Sequence, residues 1–166
     1  MHDVRYDAVH DEIVVPVPYS QAILTFRGGA DGQEGPIRII QGPKTGSIGS
    51  RLDVDPIHNE IFTYTGNTIL VYPREANGDV APVRVIKGPK TGIKSPPGLA
   101  LDSKLGELYV ANMGAPSITV FPLTANGDVP PVRTIRGGPA DAVGLMIGNP
   151  GAVGYDTKRE QILVPN

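Results

Sequence analysis

The chain contains no cysteine and no tryptophan, and only 5% of its 166 residues are aromatic. The absence of cysteine excludes disulfides, thiolate metal ligands and a cysteine nucleophile. The shortage of aromatic side chains argues against stacking on single-stranded nucleic acid. The net charge of −2 provides no basic surface for a phosphate backbone. We therefore expect no nucleic-acid partner, and a hydrophobic core built mainly from valine, isoleucine and leucine.

Long apolar runs are also missing. No segment approaches the roughly 20 apolar residues that a membrane-spanning helix needs. The first residues, Met1–Val4, lack the basic start and the apolar stretch of a signal peptide. We therefore expect no membrane span.

Glycine and proline are abundant, with 21 and 17 residues, and they separate the short apolar runs of an internal repeat. A repeat of about 45 residues with four strand-like runs per copy is typical of a β-propeller. The sequence therefore predicts an all-β fold, a propeller of four-stranded antiparallel blades in a single domain over 1–166. The predicted blades cover approximately 1–42, 43–88 and 89–138, and a partial blade covers 150–166.

An aspartate precedes the second strand of every copy. The four residues are Asp7, Asp55, Asp102 and Asp156. An aspartate at the head of a turn accepts backbone N–H bonds and fixes the turn. A catalytic carboxylate would have no reason to recur once per blade, so we interpret the four aspartates as structural.

Two other features recur between the third and fourth strands of a copy. Asn77-Gly78 and Asn126-Gly127, with Asp31-Gly32 in the first copy, predict tight hairpin turns, because these residues tolerate positive φ. An arginine also lies on each fourth strand, at the outer edge of the predicted sheet, where its charge discourages edge-to-edge pairing. These arginines are Arg38, Arg84 and Arg133.

The loops that vary between copies are expected to share one face of the propeller, and such loops are where a scaffold places a ligand site. The candidate contacts for a protein or small-molecule ligand on this loop face are Tyr19, Lys44, Asn67, Lys90, Asn112 and Met113. Lys44 and Lys90 lie in two identical Gly-Pro-Lys-Thr-Gly segments, which lack the spacing of a phosphate-binding loop and favour a duplicated turn. The longest loop, 137–149, carries Leu145-Met146-Ile147 and is expected to pack under the propeller or to face a partner.

No pattern for catalysis or metal binding is present. The histidines are His2, near the terminus, and His10 and His58, at corresponding turn positions. No nucleophile elbow is recognisable. The sequence therefore predicts no catalytic residue, no metal ligand and no cofactor.

Three segments resemble the NHL-like β-propellers: Pro97-Gly98-Leu99-Ala100-Leu101-Asp102, the second-strand run 106–112 and the third-strand run 117–121. The resemblance implies a ring of about six blades and favours a location outside the cytoplasm. The family includes protein-binding, RNA-binding and enzymatic members, so the resemblance indicates fold more than function.

The partial blade raises the question of ring closure. Asp3–Val17 aligns with Ala152–Asn166 at a constant offset of 149 residues, which gives about three and a half blades. A closed propeller has at least about four blades. We interpret the chain as a non-catalytic binding and assembly scaffold whose ring is completed by a second chain, with a homodimer favoured. The alternatives are a lactonase- or lyase-type enzyme whose channel site forms on oligomerisation, a filament subunit, and a fragment of a longer propeller protein.

Overall fold

The computed structural model describes residues 3–136, 147–148 and 150–165. The loop residues Leu145 and Met146 lie outside them, so the expectation for that apolar segment stays a prediction. The strands of the described residues, in chain order, are β1 Arg5–Asp7, β2 Glu12–Val17, β3 Ala22–Arg27, β4 Arg38–Gln41, β5 Leu52–Asp55, β6 Glu60–Thr65, β7 Thr68–Pro73, β8 Arg84–Ile86, β9 Leu99–Asp102, β10 Glu107–Asn112, β11 Ser117–Pro122, β12 Arg133–Ile135, β13 Gly154–Asp156 and β14 Gln161–Leu163.

These strands form three four-stranded sheets and one hairpin. Strands β1–β4, β5–β8 and β9–β12 make the first, second and third sheets, each in chain order, and β13–β14 make the C-terminal hairpin. The strand pairs whose registers are resolved are antiparallel. The structure thus confirms the all-β class and the four-stranded antiparallel sheets.

The chain divides into two compact units, which are described separately. Unit 1 comprises Met1–Thr65 and Ile69–Val85, and unit 2 comprises Gly66–Thr68 and Ile86–Asn166. The assignment of the whole chain to one domain stays a prediction.

The core of unit 1 lies between the first and second sheets. Period-2 alternation along a strand sends Val14 and Ile23 to the same face of the first sheet, where both are buried. They belong to one cluster with Ile61, Leu70 and Tyr72 of the second sheet. The core of unit 2 lies between the third sheet and the C-terminal hairpin, and it contains Tyr109, Ala111, Ile118, Val120, Val153, Tyr155, Ile162 and Val164.

An arginine on the fourth strand of each four-stranded sheet pairs with the glutamate that opens the second strand. Arg84 makes two bonds of 2.6 Å to Glu60, and Arg38 lies 2.5 Å from Glu12. Arg133 pairs with Glu107 in the same way. The arginines thus tie the outer strand to the interior of the sheet, an arrangement that the edge-covering interpretation did not include.

The predicted tight turns between third and fourth strands are wrong. Residues 74–83 connect β7 to β8, and Asn77-Gly78 in this connection lies along β4 of the first sheet. The Asn77 side-chain oxygen accepts the Ile39 N–H (2.9 Å), and the Gly78 N–H donates to the Ile39 carbonyl (2.6 Å). Gly127 in unit 2 likewise accepts the Lys87 N–H at 3.1 Å. Gly78 does adopt positive φ (83°), as predicted. This conformation occurs in a segment that pairs with the neighbouring sheet and not in a two-residue hairpin turn.

The connection in the first sheet is equally long. Residues 28–37 join β3 to β4, so Asp31-Gly32 does not form a two-residue hairpin loop either.

Within the part of the chain that the structure describes, no helix is long and apolar enough to cross a membrane.

Candidate functional site

The four repeated aspartates lie at the a-to-b hairpins, which join the first and second strands of each copy. The Asp7 Oδ1 atom accepts the backbone N–H groups of Val9 (2.9 Å) and His10 (3.2 Å). Asp55, Asp102 and Asp156 make the same pair of bonds to the residues two and three positions further along. All four carboxylates therefore hold backbone amides of their own turns.

Two of these turns also contain a histidine–aspartate pair. His10 Nδ1 lies 2.7 Å from Asp7, and His58 Nδ1 lies 2.6 Å from Asp55. Among the described residues, no group of three or more histidine, aspartate or glutamate side chains is arranged to hold a metal ion.

The two Gly-Pro-Lys-Thr-Gly segments are each anchored by an aspartate that lies 35 or 38 residues further along the chain. The Asp79 carboxylate accepts the Lys44 backbone N–H at 2.7 Å in unit 1. The Asp128 carboxylate accepts the Lys90 backbone N–H at 2.8 Å in unit 2, where Pro89–Thr91 forms a 3₁₀ turn. These segments are thus structural turns held by carboxylates, and their backbone amides at Lys44 and Lys90 already have partners.

Three of the candidate ligand contacts come together in unit 2. The Asn67 side-chain oxygen accepts the Ser95 N–H at 2.8 Å, and the Asn112 side-chain oxygen accepts the Lys94 N–H at 3.0 Å. Met113 donates its N–H to the Ser95 carbonyl at 3.3 Å. Asn112 is completely buried, so its amide shapes the loop from inside. Asn67, Asn112 and Met113 therefore position the loop around Lys94 and Ser95.

Beside this loop lies a cleft of about 410 Å³, called the loop cleft below. It is lined by Asn67, Thr68, Lys87, Gly88, Pro89, Gly92, Ile93 and Lys94. Lys87 and Lys94 were not among the sequence candidates, although both flank the second Gly-Pro-Lys-Thr-Gly segment. In the described part of the chain neither ammonium group forms an ion pair. The cleft therefore offers uncompensated positive charge to a polar ligand.

Tyr19 and Lys44 are not part of this cleft and belong to unit 1. Tyr19 lies in the 3₁₀ turn Pro18–Ser20 and is 91% exposed. The next residue but one, Gln21, was missed by the sequence reasoning. Its side-chain oxygen accepts the Ile48 N–H at 2.8 Å, much as Asn67 holds Ser95 in unit 2. The sequence signal that could have identified Gln21 is a side-chain amide in the loop after the second strand, the position at which Asn67 also lies.

Two tyrosines of unit 2, Tyr109 and Tyr155, have pKa values above the ordinary value for tyrosine. A hydrogen bond with Asp102 is the main reason that the pKa of Tyr155 is raised to about 12. Burial, and then the hydrogen bond to Glu107, raise the pKa of Tyr109 above its ordinary value. Both phenols stay protonated near neutral pH and serve as hydrogen-bond donors, with their rings stacked at a centroid distance of 5.2 Å.

Comparisons with known proteins identify the fold. No protein-family model matches this sequence, and no curated protein matches it significantly. Among solved structures it is similar to Raptor from Chaetomium thermophilum (TM-score 0.64, 11% identity), covering 93% of this chain and 13% of that one. It is also similar to a chain of the nidogen/laminin complex (TM-score 0.70, 15% identity), covering 98% of this chain and 55% of that one. A third similar structure is the Cps50 (Swd1) β-propeller domain from Myceliophteria thermophila (TM-score 0.64, 10% identity), with 97% of this chain and 46% of that one covered.

At such low identities the likeness concerns the fold alone, and it supports the β-propeller assignment. The chain spans between 13% and 55% of the length of these solved chains.

Proposed function

We propose that this β-propeller chain is a non-catalytic binding and assembly scaffold that associates with a second copy to complete a ring. The observation that carries the proposal is the unequal burial of equivalent sheet faces. In the second sheet Ile61 and Tyr72 are completely buried in the core that this sheet shares with the first sheet. Their counterparts in the first sheet, Ile13 and Phe26, remain partly exposed.

The exposed face is extensive as well as apolar. Ile37 and Ile39, on and beside β4, are 43% and 38% exposed, and Val15 and Leu24 are half-buried. A contiguous apolar surface of this kind favours association, because water gains freedom when the surface is covered. The similar β-propeller structures support a binding role in the same general sense.

The proposal includes two more specific claims, one on the propeller family and one on the ligand site. The identity as an NHL-like propeller rests on the blade-entry residues 97–102. We propose the loop cleft as the binding site for a small-molecule or protein ligand, because Lys87 and Lys94 supply positive charge there and Asn67 and Asn112 hold the loop.

The test is the solution mass of the full chain, measured by light scattering on a sizing column across a concentration series. We expect a species near twice the 17.5 kDa mass of one chain that dissociates on dilution. A mass that stays at one chain up to about 1 mM would contradict self-association. A mass that rises without limit would replace the closed ring by a head-to-tail filament.

A further inference from the structure

We infer that the C-terminal hairpin caps the surface of the third sheet on which the first sheet of a second copy docks. The hairpin is then an internal competitor that regulates assembly. This inference rests on the proposed self-association and names the surfaces that carry it.

The first step is the identity of the contact residues. The hairpin packs on the third sheet through Val153, Tyr155, Ile162 and Val164. At the constant offset of 149 residues, β1, β2 and the residue before β1 carry the same four residue types, at Val4, Tyr6, Ile13 and Val15. The two surfaces therefore present the same side chains from the same positions of a two-stranded hairpin.

The second step is the different exposure of the two sets. Val4 and Tyr6 are 50% and 60% exposed, and Ile13 and Val15 are only half-buried. In contrast, Val153 is 5% exposed and the Tyr155 ring stacks on Tyr109. In unit 1, the Tyr6 hydroxyl donates to the exposed Asp11 at 2.8 Å, which leaves the ring itself available for stacking.

The third step is that a complete sheet covers more than the hairpin does. The hairpin has two strands, whereas the third sheet has four. A docked first sheet adds the apolar residues Leu24 and Phe26 on β3, whose counterparts Leu70 and Tyr72 are 6% and 0% exposed in unit 1. More apolar surface is buried in this way, so the intermolecular contact is able to displace a tethered hairpin.

The fourth step is the outer edge of the third sheet. In unit 1, the segment Asn77–Asp79 pairs with the equivalent edge strand, β4. The corresponding segment of the first sheet is Asp31–Gln33, which is exposed. Strand β12 has two exposed residues, Arg133 and Thr134, and offers the same type of edge. A second copy therefore brings both an apolar face and an edge-pairing segment to the third sheet.

The test compares one substitution at two equivalent positions in the full chain, Tyr6→Asp and Tyr155→Asp, with dimer dissociation measured by light scattering. Tyr6→Asp is expected to raise the dimer Kd at least 10-fold, because it places a carboxylate on the docking face. Tyr155→Asp is expected to lower the Kd at least threefold, because it weakens only the competing hairpin. Opposite signs from matched substitutions would not arise if either residue merely stabilised its own sheet.

A second readout uses the natural absence of tryptophan. In Tyr155→Trp, the single indole reports on the hairpin, and its emission should shift to the red as the concentration passes the Kd and the hairpin leaves the third sheet. This readout decides the question if Tyr155→Asp does not fold, and circular dichroism of each variant establishes folding.

The outcomes separate the two proposals. A wild-type dimer whose Kd does not change in Tyr6→Asp overturns the docking inference and leaves self-association standing. Dimer formation that leaves the indole emission of the Tyr155→Trp variant constant has the same meaning. A monomer in the wild type and in Tyr155→Asp at all concentrations overturns both proposals.

Discussion

At the scale of single residues, the most consequential group is the buried carboxylate of Glu12. It accepts hydrogen bonds from Arg38 (2.5 Å) and from Arg74 (2.7 Å), and Arg74 also donates to the Asn59 side-chain oxygen at 3.0 Å. Burial raises the pKa of Glu12, but the bonds from the two arginines outweigh it and hold the pKa below its ordinary value. The guanidinium of Arg74 is itself almost completely buried, at 6% side-chain exposure.

We expect Glu12→Gln to destabilise the protein at pH 7 by about 2 kcal/mol, because Arg74 keeps its buried charge and loses its buried counter-charge, which leaves it only the exposed Glu75 carboxylate at 3.1 Å. A folded-state pKa below the unfolded one means that the stabilisation is complete above the ordinary glutamate pKa of about 4.3 and is lost as the pH falls through the folded value. Urea unfolding between pH 7 and pH 3 measures this. The stability of the variant should depend less on pH in the acid range.

The control for Glu12 is Glu34→Gln. Glu34 also pairs with an arginine, Arg27 at 2.7 Å, but this pair is exposed to solvent. No measurable change in stability is expected at pH 7. An equal loss of unfolding free energy in Glu12→Gln and Glu34→Gln would show that the burial of the Glu12 network does not contribute to stability.

The sequence predicted structural roles for the repeated aspartates and arginines. It did not predict the glutamates with which the arginines pair. The recurrence of Asp7 and its equivalents predicted a turn role, since local side-chain bonds depend on residues two or three positions away. The pairing of Arg38 with Glu12 joins residues 26 positions apart. No local pattern distinguishes that pairing from a solvated arginine on an edge strand.

At the scale of secondary-structure elements, the connection between β7 and β8 joins the second sheet to the first sheet within unit 1. In unit 1 this connection bonds to Ile39 and Gln41 on β4 and then to Lys44 beyond it. Gly42 lies between these contacts with φ of 149°, and a Cβ atom there would lie 2.4 Å from the Asp79 carboxylate. Glycine is therefore required by both the backbone conformation and the close approach.

We expect Gly42→Ala to lower the free energy of unfolding by about 2 kcal/mol, through backbone strain and displacement of Asp79. Gly29→Ala is the matched control, because nothing lies within 4 Å of its added Cβ and its φ is not positive. That change should be neutral or slightly stabilising. Thermal unfolding of both variants measures the difference, and a Gly42→Ala protein as stable as Gly29→Ala would contradict the proposed role of the contact.

The Asn-Gly dipeptides show why element boundaries and turn types are hard to predict locally. Asn77-Gly78 has the composition of a two-residue hairpin turn, and Gly78 does adopt positive φ. The same backbone freedom allows the segment to pair with β4, which lies 38 residues earlier at the Ile39 contact. Whether such a segment forms a hairpin turn or pairs with β4 is decided only by the packing of the neighbouring sheet.

At the scale of the whole molecule, the question is whether units 1 and 2 unfold together. Each unit has its own buried cluster, one containing Ile61 and the other containing Tyr109. The repeat predicts a single domain over 1–166, since every four-stranded copy uses the same landmarks. In a single domain, the most protected amides of both units exchange by one global opening.

Native-state hydrogen exchange in increasing urea tests this prediction. Peptides that cover β6 and β10 are expected to show opening free energies that agree within about 1 kcal/mol and fall with the same urea dependence. Peptides from the exposed turn at Lys158 serve as a locally exchanging control. A clearly lower opening free energy for one of the two units would divide the chain into two domains.

The sequence by itself determined the fold class and the repeated architecture. Alternating apolar residues, turn residues and a period of about 45 residues are local or periodic properties, and they predicted four-stranded antiparallel sheets. It also predicted loop positions for Asn67, Asn112 and Met113, and the structure brings these residues together around Lys94 and Ser95, with Asn112 at the end of β10.

The tertiary structure alone decided which groups are partners and which surfaces stay open. The Glu12–Arg74 pair joins residues 62 positions apart, and Tyr6 is exposed whereas Tyr155 is stacked, although the two tyrosines occupy equivalent positions of the repeat. The physical reason is that burial and long-range pairing depend on what packs against a side chain. The residues beside it in the chain do not contain that information.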